Sequence, residues 1–232
     1  MSTPEEKYYV HARPEMLDFM PKTVRKILDI GCSEGRFGEL LKNRQQAEVW
    51  GIEPHNASAK EASHRLDQVY VGTVEENLDS LPNNYFDAIT CNDVLEHMQD
   101  PSPVLENLYT KLVPGGYVIA SLPNMRYWET LYQLIFKKDW EYTSCGILDR
   151  THLRFFTQKS IHRLFTEAGY DITQIQGINQ YGSHRRFPFH IVTLGWAFGW
   201  LRDTSYFQFA CIAQKPLSSS VPSPAPQLAI AQ

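Results

Sequence analysis

The sequence predicts an α/β protein built on a mostly parallel sheet with helices on both faces. Two observations carry this. Short apolar runs alternate with helical patterns from Val24 to Leu122, and a glycine loop, Asp29-Ile30-Gly31-Cys32-Ser33-Glu34-Gly35, joins the first strand to the first helix. Alternation of this kind implies βαβ units, and right-handed crossovers then place helices on both sides of the sheet.

The elements follow in order. Val24 to Ile30 is a buried strand that ends at a glycine. Gly35 to Lys42 is a helix with Phe37, Leu40 and Leu41 on one face. Val49 to Glu53 is the second strand, Ala57 to Leu66 a polar helix, Val69 to Gly72 the third strand and Phe86 to Cys91 the fourth. A helix over Pro103 to Leu112 closes at the turn Pro114-Gly115-Gly116, and Tyr117 to Leu122 is the fifth strand. Met125 to Lys138 is an aromatic-rich helix. Thr157 caps a helix whose stripe is Ile161, Leu164, Phe165 and Ala168, and Gly169 stops it. Tyr170 to Gly177 and Tyr206 to Ala213 complete seven strands. Residues 1–215 are expected to form one domain, with aromatic lid or insertion elements about 125–150 and 179–204; the Ser-, Pro- and Ala-rich tail 216–232 is expected to be disordered.

Twenty-two Lys and Arg against 26 Asp and Glu give a formal net charge of −4. Binding to nucleic acid by bulk charge needs a basic surface, so no nucleic-acid partner is expected. Cys32, Cys91, Cys145 and Cys211 have no CxxC spacing, which signals neither a zinc knuckle nor a redox pair. Met1 to Val10 is polar and lacks the apolar core of a secretory signal, so a cytoplasmic protein is expected. The longest apolar stretch, Phe187 to Leu201, has about 15 residues and includes His190; a membrane span needs roughly 20.

The glycine loop can bring backbone close to a ligand, and the helix behind it offers free N–H groups to an anion. That anion is either a pyrophosphate or the carboxylate of an amino acid. Glu53 ends the second strand 18 positions after Gly35, where an acid can accept both hydroxyls of a ribose. Two features bear on a dinucleotide enzyme. No Tyr has a Lys four positions later, and Gly31, Gly35 and Gly38 lack the Gly-x-Gly-x-x-Gly spacing.

Ile27-Leu28-Asp29-Ile30-Gly31-Cys32, Phe86 to His97 and Leu112 to Ile119 resemble, in order, motifs of class I S-adenosylmethionine-dependent methyltransferases. The resemblance runs from about Tyr8 to Ala213 and is similar in detail to the small-molecule branch that includes the ubiquinone-biosynthesis O-methyltransferases. It implies a Rossmann-like seven-stranded sheet with the last strand antiparallel, S-adenosyl-L-methionine as cofactor, and methyl transfer to a small-molecule acceptor, an oxygen first. It implies that Gly31, Cys32, Ser33 and Gly35 wrap the methionine and ribose, and that Asp29 holds the methionine amino group. Glu53 would bind the ribose, Pro54 would pack on the adenine, and Thr73 and Val74 would line its edge. Asn92 would offer its carbonyl to the amino group, and Arg13, near Tyr9, would meet the carboxylate. Ser33 replaces the usual middle glycine and is expected at negative φ. The acid often found at the adenine end is replaced near Thr73.

An oxygen nucleophile benefits from a base, and His97 and His152 are the candidates, since imidazole titrates near neutrality. Arg150 and Arg154 beside His152 either bind an anionic group or make surface ion pairs. Tyr127, Trp128, Tyr132 and Phe136 form a pocket wall or core packing. No metal site is signalled. Arg185 and Arg186 before the 187–201 apolar run suggest pocket or homodimer packing first and peripheral membrane contact through 185–201 second. Acting on protein or nucleic acid is the competing reading. Against it, Asn92-Asp93-Val94-Leu95 stands where amino-methylating enzymes carry a tetrapeptide of the Asn-Pro-Pro-Tyr type. A non-catalytic cofactor-binding protein is the third.

Overall fold

A computed structural model describes residues 12–180 and 199–217. Seven strands form one sheet: β1 (Lys26–Ile30), β2 (Glu48–Glu53), β3 (Gln68–Val71), β4 (Phe86–Asn92), β5 (Leu112–Pro123), β6 (Asp171–Ile178) and β7 (Gln208–Gln214). Their spatial order is β3-β2-β1-β4-β5-β7-β6. The first five run parallel, and β7 runs antiparallel to both its neighbours, as the resemblance implies.

Helices cover both faces. Along β1 successive residues point to opposite sides, so Ile27 joins one apolar layer and Leu28 the other. On Ile27's side lie Phe37 and Leu41 of α1 (Arg36–Gln45) and Ala62 of α2 (Asn56–Ala62). On Leu28's side lie Val74 of α3 (Val74–Asn77), Leu105 and Leu108 of α4 (Pro101–Lys111), and Ile161 and Phe165 of α6 (Gln158–Glu167). The Tyr170 hydroxyl is buried in that layer and donates to the Leu105 carbonyl at 2.8 Å, which satisfies it.

Three elements differ from the sequence expectation. Pro14–Phe19 is a 3₁₀ turn that buries Met16 and Phe19 against the sheet, although no periodic pattern marks it. The turn at Pro114-Gly115-Gly116 lies inside β5. Strand pairing starts at Leu112 opposite Phe86 and resumes at Tyr117 opposite Ala88, so four residues bulge out between two paired ones. The aromatic helix is shorter than 125–138: α5 (Trp128–Tyr132) passes into a π-helical turn, Gln133–Lys137, that ends at Lys138 with φ 55°. The expected disorder of the tail, Arg185, Arg186, and most of the 187–201 run lie outside the described residues.

Candidate functional site

The site residues gather where β1, β2 and β4 end, at the carboxyl edge of the parallel strands, where open α/β sheets bind ligands. The loop after β1 is anchored from below. The Gly31 and Cys32 amides donate to the Ile52 carbonyl at 2.8 and 3.1 Å, and the Gly35 amide donates to the Cys32 carbonyl at 2.8 Å. Gly31 and Gly35 have φ of 67° and 77°. A Cβ on Gly35 would stand 3.1 Å from the backbone of Ala62, so the loop lies tight against α2.

Ser33 is a correction. The sequence leads one to expect negative φ, and the residue has φ 50°. Its amide donates to Glu53 Oε2 at 2.9 Å, and that bond requires the amide to face inward through a left-handed turn. Glu53 Oε1 accepts from the His55 amide at 2.8 Å. Two backbone donors therefore fix the carboxylate at the end of β2, beside the exposed Pro54 ring.

Asp29 is buried beneath the loop, and its Oδ1 accepts from Thr90 Oγ1 at 2.6 Å. Burial, with Glu53 nearby adding repulsion, outweighs that hydrogen bond and pushes the carboxyl up to about 7. Cys32 points into the core, where burial holds its thiol far above the usual range. Asn92 ends β4, and neither polar atom of its side-chain amide has a hydrogen-bond partner. After β3 the Thr73 hydroxyl caps α3, accepting from the Glu76 amide, and the Val74 side chain is in the core. Of the two residues expected to line an adenine edge, Val74 offers backbone alone.

Arg13 reaches the same edge from the N-terminal side. Its guanidinium pairs with Asp93, donates to Glu15 at 2.7 Å and donates to Gln208 at 3.2 Å.

Val94 touches the cradle: a Cβ on Gly31 would lie 2.7 Å from Val94 Cγ2. Two residues on begins a second cluster. Glu96, His97 and His152 each place a ligand-type atom within 4.8 Å of the others. Glu96 is fully buried and neither carboxylate oxygen has a hydrogen-bond partner. Burial pushes its carboxyl up to about 8, against the pull of its own backbone amide and, more weakly, of Arg13. His97 Nδ1 lies 3.3 Å from the Thr151 carbonyl, and His152 Nδ1 lies 3.0 Å from the Ile147 carbonyl. The rings meet edge to face at 4.8 Å. Burial lowers both imidazoles, and His152 lowers His97 further. The Glu96 carbonyl accepts from the Leu153 and Arg154 amides at 2.8 and 3.0 Å, which pulls the 147–154 loop onto the end of β4. Arg154 donates to the Gln99 carbonyl, and Arg150 is exposed.

The structure thus joins His97 and His152, two candidates 55 positions apart, into one group. It adds Glu96, which sequence reasoning passes over although it stands beside His97; the signal is an acid between Leu95 and Met98, in an apolar setting. The sequence signals no metal site, but a carboxylate and two imidazoles together are a donor set that suits a divalent transition metal.

A glycine cradle without dinucleotide spacing, a ribose-type acid on β2 and a reversed seventh strand define the class of S-adenosylmethionine-dependent methyltransferases. A family model described as a methyltransferase domain matches residues 5–175, and the chain belongs to that family. S-adenosylmethionine is accordingly its cofactor. The ubiquinone biosynthesis O-methyltransferase of Psychrobacter arcticus is 27% identical over 90% of this chain and 78% of its own length. That of Chromobacterium violaceum is 30% identical over 71% and 74%. A crystal structure of an S-adenosylmethionine-dependent methyltransferase from Archaeoglobus fulgidus shares the fold, with a TM-score of 0.65 at 22% identity over 91% of this chain and 97% of that one.

Proposed function

We propose that this enzyme methylates a hydroxyl oxygen of a small molecule, with quinone-like phenols the first acceptors to test because its relatives carry that chemistry in their names. The observation that carries the reading is the Glu96–His97–His152 cluster beside the cradle. When bound, S-adenosylmethionine supplies a methyl group already activated on a sulfonium sulfur. Asp29 and Asn92 would hold its amino group, Arg13 its carboxylate and Glu53 its ribose, and Gly31, Cys32, Ser33 and Gly35 would enclose the chain between. Pro54 would cover the adenine, and the backbone of Thr73 and Val74 would border it.

His97 or His152 would take the proton that the acceptor hydroxyl gives up when its oxygen receives the methyl group, with S-adenosylhomocysteine as the other product. Burial shifts both imidazoles towards the neutral form, the form that can accept a proton. Transfer of labelled methyl to a panel of phenols, sugars and amines tests the reading. Turnover confined to amines, or label found only in protein or RNA, overturns it.

One observation favours a second role for the same cluster. The unpartnered, buried Glu96 carboxylate fits a cation, and both imidazoles are oriented at Nδ1, His152 by the Ile147 carbonyl and His97 by the hydroxyl and carbonyl of Thr151, as metal-bound histidines are oriented by a second contact. A divalent ion bound there would lower the pKa of an acceptor hydroxyl. Loss of turnover on chelation, restored by Zn²⁺ or Mn²⁺ in the wild type but not in Glu96→Gln, supports it; turnover indifferent to chelation removes it.

Among the described residues no helix is long and apolar enough to cross a membrane. Exposed Leu134, Ile135 and Phe136 precede Lys137 and Lys138, and Trp200 is exposed as well. This supports peripheral membrane contact through the aromatic insertions, including 185–201. Sedimentation with anionic vesicles tests it, and a homodimer in the vesicle-free control is the competing occupant.

A further inference from the structure

The guanidinium of Arg13 is held on three sides, and its partners fall into two kinds. Glu15 lies two residues away and moves with the N-terminal segment. Asp93 and Gln208 belong to the sheet: Asp93 follows β4 and Gln208 opens β7. Among the described residues these two are the direct links from the Arg13 side chain to the sheet.

Both are themselves pinned. Asp93 stands in the left-handed region at φ 55°. Its amide meets the Ser121 carbonyl at 3.2 Å and the Ser121 hydroxyl at 3.1 Å, and that hydroxyl donates to Asp93 Oδ1 at 3.0 Å. Ser121 is completely buried in β5. Gln208 donates through Nε2 to Asp93 Oδ1 at 2.5 Å, and its Oε1 accepts from Asn179 Nδ2 at 2.7 Å and from Arg13. Asn179 also reaches Glu15 at 3.5 Å. A non-glycine residue is kept at positive φ only where the surroundings over-determine it. Here they present one carboxylate and one amide oxygen to a single guanidinium.

We infer that Asp93 and Gln208 are positioning residues: they hold the Arg13 side chain at the ends of β4 and β7 and aim it at the cofactor's carboxylate. The inference rests on the cofactor role proposed above for Arg13. A guanidinium has five N–H donors in a fixed plane. Its Nε and one N–H on each terminal nitrogen go to Glu15, Asp93 and Gln208, which leaves two for a carboxylate. Without the sheet partners, a flexible side chain on a terminal segment would have to be ordered by each incoming cofactor, and binding would weaken accordingly. Asp93 therefore acts on cofactor capture through Arg13.

A double-mutant cycle tests this, with S-adenosylhomocysteine binding measured by calorimetry. Arg13→Ala and Asp93→Ala are each expected to weaken binding about tenfold, and the double variant to be no weaker than Arg13→Ala alone. Asp93→Asn, which keeps the acceptor oxygen, is expected to recover part of the loss and covers the case in which Asp93→Ala misfolds. In turnover, Asp93→Asn should raise KM for S-adenosylmethionine, leave kcat at saturation within about twofold and leave KM for the acceptor unchanged. Additive losses in the cycle, unchanged binding in both Asp93 variants, or a fall in kcat at constant KM would overturn the inference. If the wild type itself fails to bind S-adenosylhomocysteine, the cofactor reading fails instead. If Arg13→Ala alone binds normally, the role of Arg13 fails, and this inference with it.

Discussion

At the residue scale, the cradle contains one strained position. Ser33 holds φ 50° where a glycine would rest without cost. A left-handed conformation costs an L-residue roughly 1–2 kcal/mol, while glycine adds roughly 0.4–1 kcal/mol of unfolded-state entropy. The first term is larger, so Ser33→Gly is expected to stabilise the protein by about 0.5–1 kcal/mol, read from the midpoint of urea unfolding. A midpoint that falls would show that the serine side chain contributes more than its backbone strain costs.

Asp29 makes the second prediction at this scale. An aspartate in water ionises at 3.8, whereas burial pushes this one to about 7 in the fold. Between those values the folded state holds a proton that the unfolded chain has lost. Stability from this group is therefore greatest at low pH and declines as pH rises towards 7, at up to about 1.4 kcal/mol per pH unit. Asp29→Asn should flatten that part of the stability–pH curve. The cofactor's ammonium group favours the ionised carboxylate, so binding near pH 6 should release about one proton and binding above pH 8 none. Calorimetry in two buffers of different ionisation enthalpy measures this; equal apparent enthalpies at pH 6 would contradict it.

At the element scale, local chemistry starts and stops the pieces that carry the site. Thr157 caps α6: its Oγ1 accepts from the Ser160 amide at 3.3 Å, and the Ser160 hydroxyl accepts from the Thr157 amide at 2.9 Å. Thr157→Ala should cost about 1 kcal/mol of stability by chemical denaturation. Cofactor affinity should not change, because the cap faces none of the cradle. Gly35 is the opposite case. At φ 77°, with the Ala62 backbone 3.1 Å from an added Cβ, Gly35→Ala strains both the loop and its contact with α2. It should destabilise the fold by about 1–2 kcal/mol and weaken S-adenosylhomocysteine binding as well. A variant with normal affinity would show that the loop accommodates the change.

At the scale of the whole molecule, the proposed cofactor contacts would come from several elements at once: β1, β2, β4 and, through Arg13, the N-terminal segment. A ligand that binds only the folded state at one hundred times its Kd stabilises by about 2.7 kcal/mol, which for a chain of this size corresponds to a Tm rise of roughly 5–10 °C. S-adenosylhomocysteine should produce that rise in the wild type and a smaller one in Arg13→Ala. No shift at saturating ligand would contradict the cofactor assignment.

Much of this molecule is written locally. Apolar runs alternating with amphipathic helices place all seven strands within a few residues, because side-chain periodicity and burial act on consecutive positions. Gly31, Gly35 and Thr157 are readable for the same reason: a required φ or a helix cap is a demand on one or two neighbours. Ser33 is misjudged from sequence because the inward turn of its amide answers to Glu53, twenty positions away on another strand. The bulge inside β5 and the capture of Arg13 by Asp93 and Gln208 are likewise beyond reach. The sequence by itself determined the element order and the glycine turn after β1, and it singled out both histidines as candidates. Only the tertiary structure decided that His152 meets His97 over a buried Glu96, since that meeting depends on the Glu96 carbonyl drawing a loop from 55 positions away onto the end of β4, and no local pattern encodes a contact between distant segments.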